Sequence, residues 1–264
     1  MESSSHCYVA FLDILGFKQL VQSTKHEDLL KLYSNLFITN AAMAVTHGAY
    51  KVVDAAATKR IAIPDFSNAK IDCMVISDSV LMYTKDDSIQ SFLNLCVSAG
   101  KLTMSGFVTG LPMRGSIALG PLSALKQQET DAEFGVYGLV GMALVKAYSN
   151  ESMYNWAGCV LDAECIERYE YLYGIAQSQD IQAPSIADVV AHGILLQYKT
   201  PRKGSLPSEQ WVINWPRFNR SPINQEVIQR SFEKYGKNAQ NESELCKLRN
   251  TLDFLAHSNS RRQA

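Results

Sequence analysis

Two short apolar runs near the start of the chain each lead into an aspartate. Residues 7–12, CYVAFL, are apolar and β-prone, and they predict a buried strand that ends at Asp13. Residues 71–83, IDCMVISDSVLMY, contain two β-rich apolar runs separated by a Ser-Asp-Ser break, which predicts a β-hairpin with Asp78 at its tip. The pattern therefore places two carboxylates at the ends of buried strands.

Helical and strand periodicity alternate along the rest of the chain. Apolar residues recur at helical spacing over residues 28–45, which predicts a long amphipathic helix. Trp211 and Trp215 have an even spacing in the apolar run QWVINW, so we expect both on one face of a strand. The tail over residues 225–257 is polar and helical, and the whole pattern predicts a mixed α/β domain with a helical C-terminal extension. The other predicted elements are helices at 88–108, 141–151 and 163–174, and strands at 113–120, 158–162 and 193–200.

The composition is that of a soluble globular protein. Of the 264 residues, 47% are hydrophobic and 19% are charged, so the chain can bury a substantial core. The formal net charge of −1 gives no global electrostatic reason to expect nucleic acid or an anionic membrane as a partner. The six cysteines lack metal-type spacing, and most lie among apolar neighbours, which favours core packing. The N-terminus MESSSH lacks a secretory pattern and no apolar run reaches the ~20 residues of a membrane helix, so we expect a cytoplasmic protein.

Carboxylates at two fixed strand ends suit a hard divalent cation. Mg²⁺ prefers oxygen ligands and uses one or two protein carboxylates, while phosphate oxygens and water complete its coordination shell. Two such ions can activate an attacking oxygen and neutralise charge on a phosphate. Asp13, followed by Gly16 and its neighbouring main-chain amides, fits the first position, and Asp78 fits the second. An aspartate at a strand end is also a common helix cap or turn residue, and spacing alone leaves both interpretations open.

Several motifs resemble those of class III nucleotidyl cyclases, and they occur in the same order. FLDILGF, residues 11–17, matches the F-x-D-I-x-G-F signature at the first strand of that family. ISDSVLMY, residues 76–83, resembles the hairpin that carries the family's second aspartate. The similarity spans about residues 7–215. The later pieces, which match mainly by order, are MRGSIALG at 113–120, GMALVKAYSNES at 141–152, CVLDAEC at 159–165 and RKGSLPSEQWVINW at 202–215.

The resemblance implies a ferredoxin-like cyclase domain at residues 1–220, followed by the helical C-terminal extension at 221–264. It also implies a homodimer with active sites at the interface. Asp13 and Asp78 become the catalytic residues, and together with Ile14 they would hold two Mg²⁺ or Mn²⁺ ions per active site. In that chemistry the ribose 3′-oxygen attacks the α-phosphate of a nucleoside triphosphate, and the products are pyrophosphate and a 3′,5′-cyclic nucleotide.

Further residues are candidates for substrate binding. Phe17 ends the first motif, at the turn that the triphosphate would approach. Lys203 in PRKGS could neutralise triphosphate charge, with Arg202 as its rival and a solvated loop cation as the alternative. Arg114 could reach phosphate or form an ion pair within the fold. Tyr50 could close a pocket against a small base, or it could serve ordinary packing.

The helix after Gly141 departs from the family pattern. Alignment of that glycine places Val145 and Ser149 where typical members carry the asparagine and arginine that hold ribose and stabilise the transition state. Met74 and Gly138 fall at the positions that select a purine, and neither offers a charged or thiol group suited to a purine edge. The resemblance therefore implies that the metal chemistry is kept and the base pocket is changed.

The same helix and the short DILGF turn resemble the bacterial pyrimidine cyclases of the Pycsar antiphage systems. This resemblance implies conversion of UTP to cyclic UMP, with cyclic CMP from CTP as the alternative, and a separate effector protein that senses the product. A catalytically inactive, cyclase-like nucleotide sensor is a second interpretation, which the residues at 145 and 149 support and the retained aspartates oppose. Another palm-type enzyme is disfavoured, because no GGDEF-like run or basic primer groove is visible.

Overall fold

Strands and helices alternate through the part of the chain that the computed structural model describes, residues 5–56, 59–127, 136–219, 221–237 and 241–261. The strands are β1 (Ser5–Ile14), β2 (Tyr50–Ala56), β3 (Lys59–Pro64), β4 (Asp72–Ile76), β5 (Ser79–Tyr83), β6 (Met113–Gln127), β7 (Val136–Val140), β8 (Gly158–Leu161), β9 (Leu195–Thr200) and β10 (Ser208–Ile213). The α-helices are α1 (Phe17–Ser23), α2 (His26–Leu32), α3 (Thr39–Val45), α4 (Ile89–Thr109), α5 (Met142–Met153), α6 (Ala163–Ser178), α7 (Ile186–Ala191), α8 (Gln225–Glu233) and α9 (Glu242–Ser260). No helix in these ranges is long and apolar enough to cross a membrane.

The central sheet has a ferredoxin-like core. Its strands run in the order β4-β5-β1-β6-β8-β10-β9, with β7 paired to β6, while β2 and β3 form a separate hairpin sheet. Strand β1 lies between β5 and β6 and is antiparallel to both, and β4 is antiparallel to β5. Helices lie between β1 and β4 and between β5 and β6, so the chain order and the pairing match a βαββαβ unit. The expected mixed α/β fold with a ferredoxin-like core is confirmed.

Strand β1 is buried on both faces because helices cover the sheet on both sides. Tyr8 and Leu12 are fully buried in the main hydrophobic core, which includes residues of α4. Val9 faces the opposite side, where it joins a smaller apolar cluster with Ala143 of α5. Side chains alternate along a strand, so Asp13 points to the same face of the sheet as Val9 and α5.

The helix expected over residues 28–45 forms as three consecutive helical pieces. A π-helical segment, Tyr33–Ile38, joins α2 to α3 without a break. Such segments add a residue to one turn and shift the direction of the side chains that follow. The apolar pattern predicted helical structure here, and the local change of pitch became visible only in the structure.

Strand β10 ends before Trp215, so the expectation that Trp211 and Trp215 share a strand is wrong. Trp215 begins a 3₁₀ helix, Trp215–Phe218, in which Pro216 follows directly. Proline has no N–H to donate, and it cannot extend the hydrogen-bonded ladder of the strand. Trp215 is fully buried instead, with its ring centroid 4.2 Å from that of Phe107 in α4.

The C-terminal helix α9 packs onto the core of the sheet domain. Phe254 of α9 is fully buried, and its ring centroid lies 4.7 Å from that of Trp156 and 5.7 Å from that of Trp215. The Thr251 hydroxyl accepts a hydrogen bond of 2.9 Å from the Ala157 N–H. Residue 220, the expected last residue of the cyclase domain, and residues 1–4, which lack a secretory pattern, lie outside the described residues.

Candidate active site

The two aspartates lie on adjoining strands at one end of the central sheet. Asp13 of β1 is the ladder partner of Ser79 in β5, the residue that follows Asp78. The Ser79 hydroxyl donates a hydrogen bond to Asp13 Oδ1 at 3.1 Å. The Ile14 N–H donates to the Asp78 carbonyl at 2.9 Å, which closes the end of the ladder. Strand pairing thus brings the two acids together, and the predicted hairpin with Asp78 in its turn is confirmed.

Tyr33 supports the turn that carries Asp78. Ser77 in this turn has a φ of 54°, in the left-handed region that residues other than glycine rarely adopt. The Tyr33 hydroxyl, from the π-helical segment, donates a hydrogen bond of 2.6 Å to the Ser77 carbonyl. Burial raises the pKa of Tyr33, and the charge of Asp78 raises it further, so the hydroxyl keeps its proton at neutral pH. Sequence reasoning missed Tyr33, because nothing distinguishes it from other aromatic residues of an amphipathic helix.

The Asp13 carboxyl ionises less readily than an ordinary aspartate. Burial is the largest cause that raises its pKa to about 6, and the charges of Asp78 and Glu151 add to the effect. The Ser79 hydrogen bond and the Arg114 guanidinium act in the opposite direction. Neighbouring carboxylates are stable together when a proton or a cation neutralises one of them. The pair is therefore electrostatically suited to a divalent cation.

The available ligands fit magnesium or manganese held together with a polyphosphate. The carboxylates of Asp13 and Asp78 and the main chain at Ile14 offer hard oxygen ligands, which these cations prefer. Mg²⁺ needs only one or two protein carboxylates when phosphates and water supply the other ligands. Within the described ranges, no group of three or more His, Cys, Asp or Glu side chains is placed to hold a metal ion. Two carboxylates and a main-chain oxygen would leave the other coordination positions of such a cation to water or phosphate oxygens.

A buried ion pair lies beside this acidic pair. Arg114 of β6 is the other ladder partner of Asp13, and its guanidinium bonds to the Glu151 carboxylate of α5. Arg114 is 8% exposed and Glu151 is 4% exposed. Arg114 Nη1 also donates to the Tyr154 carbonyl at 3.0 Å. The burial of Glu151 could not be predicted from the sequence, because glutamates on helices are mostly exposed.

Lys203 lies near the same ion pair. Its backbone N–H donates to the Met153 carbonyl at 2.8 Å, which fixes the loop after β9 to the end of α5. Burial and then the Arg114 charge lower the pKa of the Lys203 ammonium, and Glu151 raises it. No hydrogen bond or salt bridge from the described part of the chain engages that ammonium. Its rival Arg202 instead contacts the Met153 sulfur, with Nη2 3.5 Å from Sδ.

The turn after β1 requires glycine. Gly16 has a φ of 77°, and a Cβ there would lie 2.9 Å from Cδ of Lys237. The Gly16 carbonyl accepts a hydrogen bond of 3.1 Å from the Leu20 N–H, so α1 begins directly after the turn. Phe17, the first residue of α1, is partly buried and packs against the main core. The glycine of FLDILGF therefore permits the backbone conformation of the turn, and the phenylalanine packs against the core and holds the turn in place.

The remaining sequence candidates lie on other elements. Tyr50 begins β2 in the separate two-stranded sheet and is 65% exposed. Met74 lies on β4 and is partly buried, while Gly138 lies on β7. Val145 and Ser149 are both exposed on α5. Neither of them can supply the amide or guanidinium that the cyclase pattern places on this helix.

Solved structures of nucleotide cyclases are similar to this chain over most of its length. The guanylyl cyclase Cya2 aligns at 12% identity and a TM-score of 0.48, over 80% of this chain and 92% of that one. The adenylyl cyclase CyaB from P. aeruginosa aligns at 13% identity and a TM-score of 0.44, over 80% and 94%. The dimeric guanylyl cyclase domain of the RhoGC fusion protein from Blastocladiella emersonii aligns at 14% identity and a TM-score of 0.45, over 79% of this chain and 96% of that one. No protein-family model and no curated protein sequence matches the chain.

Proposed function

We propose that this protein is a metal-dependent pyrimidine nucleotide cyclase that converts UTP to 3′,5′-cyclic UMP and pyrophosphate. The observation that carries the proposal is the pairing of Asp13 with Ser79, which sets Asp13 next to Asp78 at the ends of β1 and β5. An unengaged ammonium, that of Lys203, lies near the Arg114–Glu151 ion pair, and Arg114 is the ladder partner of Asp13. Carboxylates that hold a metal and cations that face a polyphosphate are the groups that nucleotide cyclisation needs.

Asp13 and Asp78 are the metal-holding residues of the proposal, with Ile14 as a main-chain ligand and two Mg²⁺ or Mn²⁺ ions per active site. When bound, these ions supply Lewis acidity and neutralise charge on the reacting phosphate. The residues of the chain orient the ligands. Ser79 fixes the Asp13 carboxylate through its hydrogen bond. Tyr33 holds the turn that presents Asp78, so both carboxylates are oriented before the substrate arrives.

Lys203 is the direct phosphate contact in this proposal. Its ammonium has no partner among the described residues, whereas the Arg114 guanidinium is held by Glu151. In the proposal Arg114 does not contact the phosphates, and its positive charge contributes to the electrostatic field that attracts them. Phe17 anchors the turn whose main-chain amides face the triphosphate. Tyr50, most of whose surface is exposed, is the aromatic candidate for contact with the base.

An exposed apolar surface on α5 and β7 supports a homodimer with active sites at the interface. Three residues of α5 are more than half exposed, Met142 at 53%, Val145 at 56% and Tyr148 at 60%. Val140 of β7 and Leu125 of β6 are 59% and 53% exposed. Exposed apolar residues close together on a domain surface mark protein–protein contacts. Helix α5 covers the face of the sheet toward which Asp13 points, so a second copy on its outer side would lie over the same face as the metal ligands.

The preference for a pyrimidine rests on the residues of the base pocket. Met74 and Gly138 offer no charged or thiol group to a purine edge, and the apolar Val145 stands where typical cyclases carry an asparagine. A smaller base needs fewer polar contacts from these positions. UTP is the favoured substrate and CTP is the alternative. The cyclic product would act as a second messenger in antiphage defence and be sensed by a separate effector protein.

A product assay tests this proposal. The purified protein is incubated with each of the four ribonucleoside triphosphates and Mn²⁺, and the products are identified by mass. The expected result is cyclic UMP from UTP, with cyclic CMP as the alternative product. Formation of cyclic AMP alone, or of no cyclic nucleotide at all, would contradict the pyrimidine assignment.

A nucleotide sensor without turnover is the second candidate. The observation in its favour is the absence of an amide or guanidinium at Val145 and Ser149 on α5. It predicts that the protein binds UTP, measured by calorimetry, and forms no cyclic product with either Mg²⁺ or Mn²⁺. Binding without turnover would decide for the sensor and against the enzyme.

A further inference from the structure

A cleft beside the Leu15–Gly16 turn is shared between the cyclase-like core and the C-terminal helices. The turn and α1 form one wall, and residues from the end of α8 to the middle of α9 form the other. Lys247 of α9 therefore faces the same cleft as the glycine of the first motif. The lining residues are Leu15, Gly16, Gln19, Phe232, Lys237, Glu244 and Lys247.

Hydrogen bonds on both sides of Lys247 fix helix α9 against this cleft. One turn before it, Glu244 Oε1 accepts a hydrogen bond of 3.0 Å from Gln19 Nε2 of α1. Three residues after it, Asn250 Nδ2 donates to the Asn155 carbonyl at 2.7 Å, in the segment that links α5 to β8. The position of Lys247 relative to the Gly16 turn is thus set by contacts that other residues make.

The two lysines of the cleft are used differently. Lys237 is buried, and its ammonium donates to the carbonyls of Gly110 and Ser231 at 2.7 and 2.9 Å, so it ties chain segments together. The Lys247 ammonium makes no hydrogen bond or salt bridge within the described residues. A half-buried cation without a partner is costly, and an arriving anion would relieve that cost. Lys247 is therefore available to a ligand, and Lys237 is not.

The charged groups that act on Lys247 include the buried ion pair beside the proposed metal ligands. Burial and then the Arg114 guanidinium lower the pKa of Lys247, while Glu244 and Glu151 raise it. Arg114 also lowers the pKa of Lys203, and Glu151 also raises it. The Lys247 charge lowers the pKa of Lys203 further. Lys203 also lines a cleft with Asn155 and with Glu242 and Cys246 of α9, so both unengaged ammonium groups lie where α9 meets the segment after α5. Their mutual repulsion falls when an anion with several charges binds between them.

We propose that Lys247 binds the terminal phosphates of the nucleoside triphosphate together with Lys203, so that helix α9 supplies part of the substrate site. The inference rests on the proposed function, and it adds to that site a binding residue from outside the segment that resembles cyclases. The main-chain turn at Gly16 and the Lys247 ammonium border one cleft, and such turns and cations bind phosphate oxygens together. The C-terminal helix is then required for substrate affinity as well as for packing.

Three variants of α9 test the proposal. Lys247→Met removes the charge and keeps the length of the side chain. Lys247→Arg keeps the charge, and Arg261→Met removes an exposed cation at the C-terminal end of α9, about 20 Å further along the helix. Two quantities are measured for each variant, the KM and kcat for UTP with Mn²⁺, and the affinity for inorganic tripolyphosphate with Mg²⁺ by titration calorimetry. Circular dichroism and thermal unfolding check that each variant is folded.

The proposal predicts that Lys247→Met raises the KM for UTP and the Kd for tripolyphosphate by roughly tenfold or more, as expected for loss of a charge-assisted hydrogen bond. Lys247→Arg should remain close to the wild type in both quantities, and Arg261→Met should be unchanged. Equal values for Lys247→Met and Arg261→Met would overturn the proposal. If the wild type forms no cyclic nucleotide, the cyclase proposal fails and the tripolyphosphate titration still decides about Lys247. Weaker binding by Lys247→Met then supports the phosphate site, and unchanged binding, or no binding by the wild type, refutes it.

Discussion

Arg114 and Glu151 form a buried ion pair one strand away from the Asp13 carboxylate, and Arg114 is at once the ladder partner of Asp13 and the bonding partner of Glu151. The pair keeps the positive charge of β6 in place beside the two aspartates. It also fixes α5, which carries the exposed apolar surface, to the strand that borders the site.

Removal of Glu151 should destabilise the protein strongly. Glu151→Ala leaves the Arg114 guanidinium buried without its carboxylate, and breaking a buried pair in this way costs about 3–5 kcal/mol of unfolding free energy. The matched control is Glu164→Ala, which breaks the exposed 2.6 Å pair with Lys146 and should cost no more than about 1 kcal/mol. Urea unfolding of both variants measures the difference, and equal losses would contradict the structural role of the buried pair.

Tyr33 should matter more for activity than for stability. Tyr33→Phe removes the hydrogen bond to the Ser77 carbonyl and should lower the unfolding free energy by only about 1 kcal/mol. The same change lets the Asp78 turn move, and we expect kcat to fall by roughly tenfold. Ser77→Gly provides the opposite test, because glycine adopts the φ of 54° without strain and should keep or raise stability. A Tyr33→Phe variant with wild-type kcat would show that the turn is held by other contacts.

Without metal, the contribution of Asp13 to the stability of the protein should fall as the pH rises from about 4 to about 6. The pKa of Asp13 is about 6 in the folded protein against the ordinary aspartate value of 3.8, so the folded state binds this proton more tightly than the unfolded chain. The proton favours folding at low pH, and its contribution is lost as the pH rises through 6. The difference in unfolding free energy between the wild type and Asp13→Asn should change by up to about 2 kcal/mol over this window. A difference that stays constant between pH 4 and pH 7 would exclude the burial of Asp13 as described.

The apolar surface of α5 should be required for dimer formation. Met142→Glu places a charge in the middle of this surface, and at the first turn of a helix a glutamate does not destabilise the monomer. We expect light scattering to show a monomer with normal thermal stability and without cyclase activity. Leu206→Glu, at a loop residue that is 87% exposed, is the control and should stay dimeric and active. A wild type that is monomeric and fully active would contradict the interface proposal.

The sequence predicted those features that depend on local pattern and chain order. The apolar runs before Asp13 and around Asp78 indicated the strands, and the break at Ser77 indicated the hairpin turn. The resemblance of the ordered motifs to class III nucleotidyl cyclases implied the ferredoxin-like topology. The strands and the turn are encoded within a few residues of the position that they describe.

The contacts between distant segments could not be predicted in the same way. The Tyr33 hydroxyl bonds to a carbonyl 44 residues away, and Arg114 bonds to a glutamate 37 residues away. Periodicity shows which face of a helix is apolar, but it does not show which polar group that face meets. The expectation for Trp215 failed for a related reason. Even spacing places two residues on one face of a strand only if the strand includes both of them, and here the strand ends before Trp215, where a 3₁₀ helix begins. Lys247 falls in a stretch that reads as a solvated helical face, and only the packing of α9 brings it to the site.

The conversion of UTP by wild type, Asp78→Asn and Asp72→Asn protein tests the central claim most directly. Asp72 lies on the same hairpin at the far end of β4, opposite Tyr83, and its replacement is a matched change of charge away from the proposed metal ligands. We predict that the wild type and Asp72→Asn form cyclic UMP with Mn²⁺, and that Asp78→Asn is slower by roughly a hundredfold or more while it unfolds at a similar temperature. Equal turnover by the two variants, or a wild type that forms no cyclic pyrimidine nucleotide, would contradict the account.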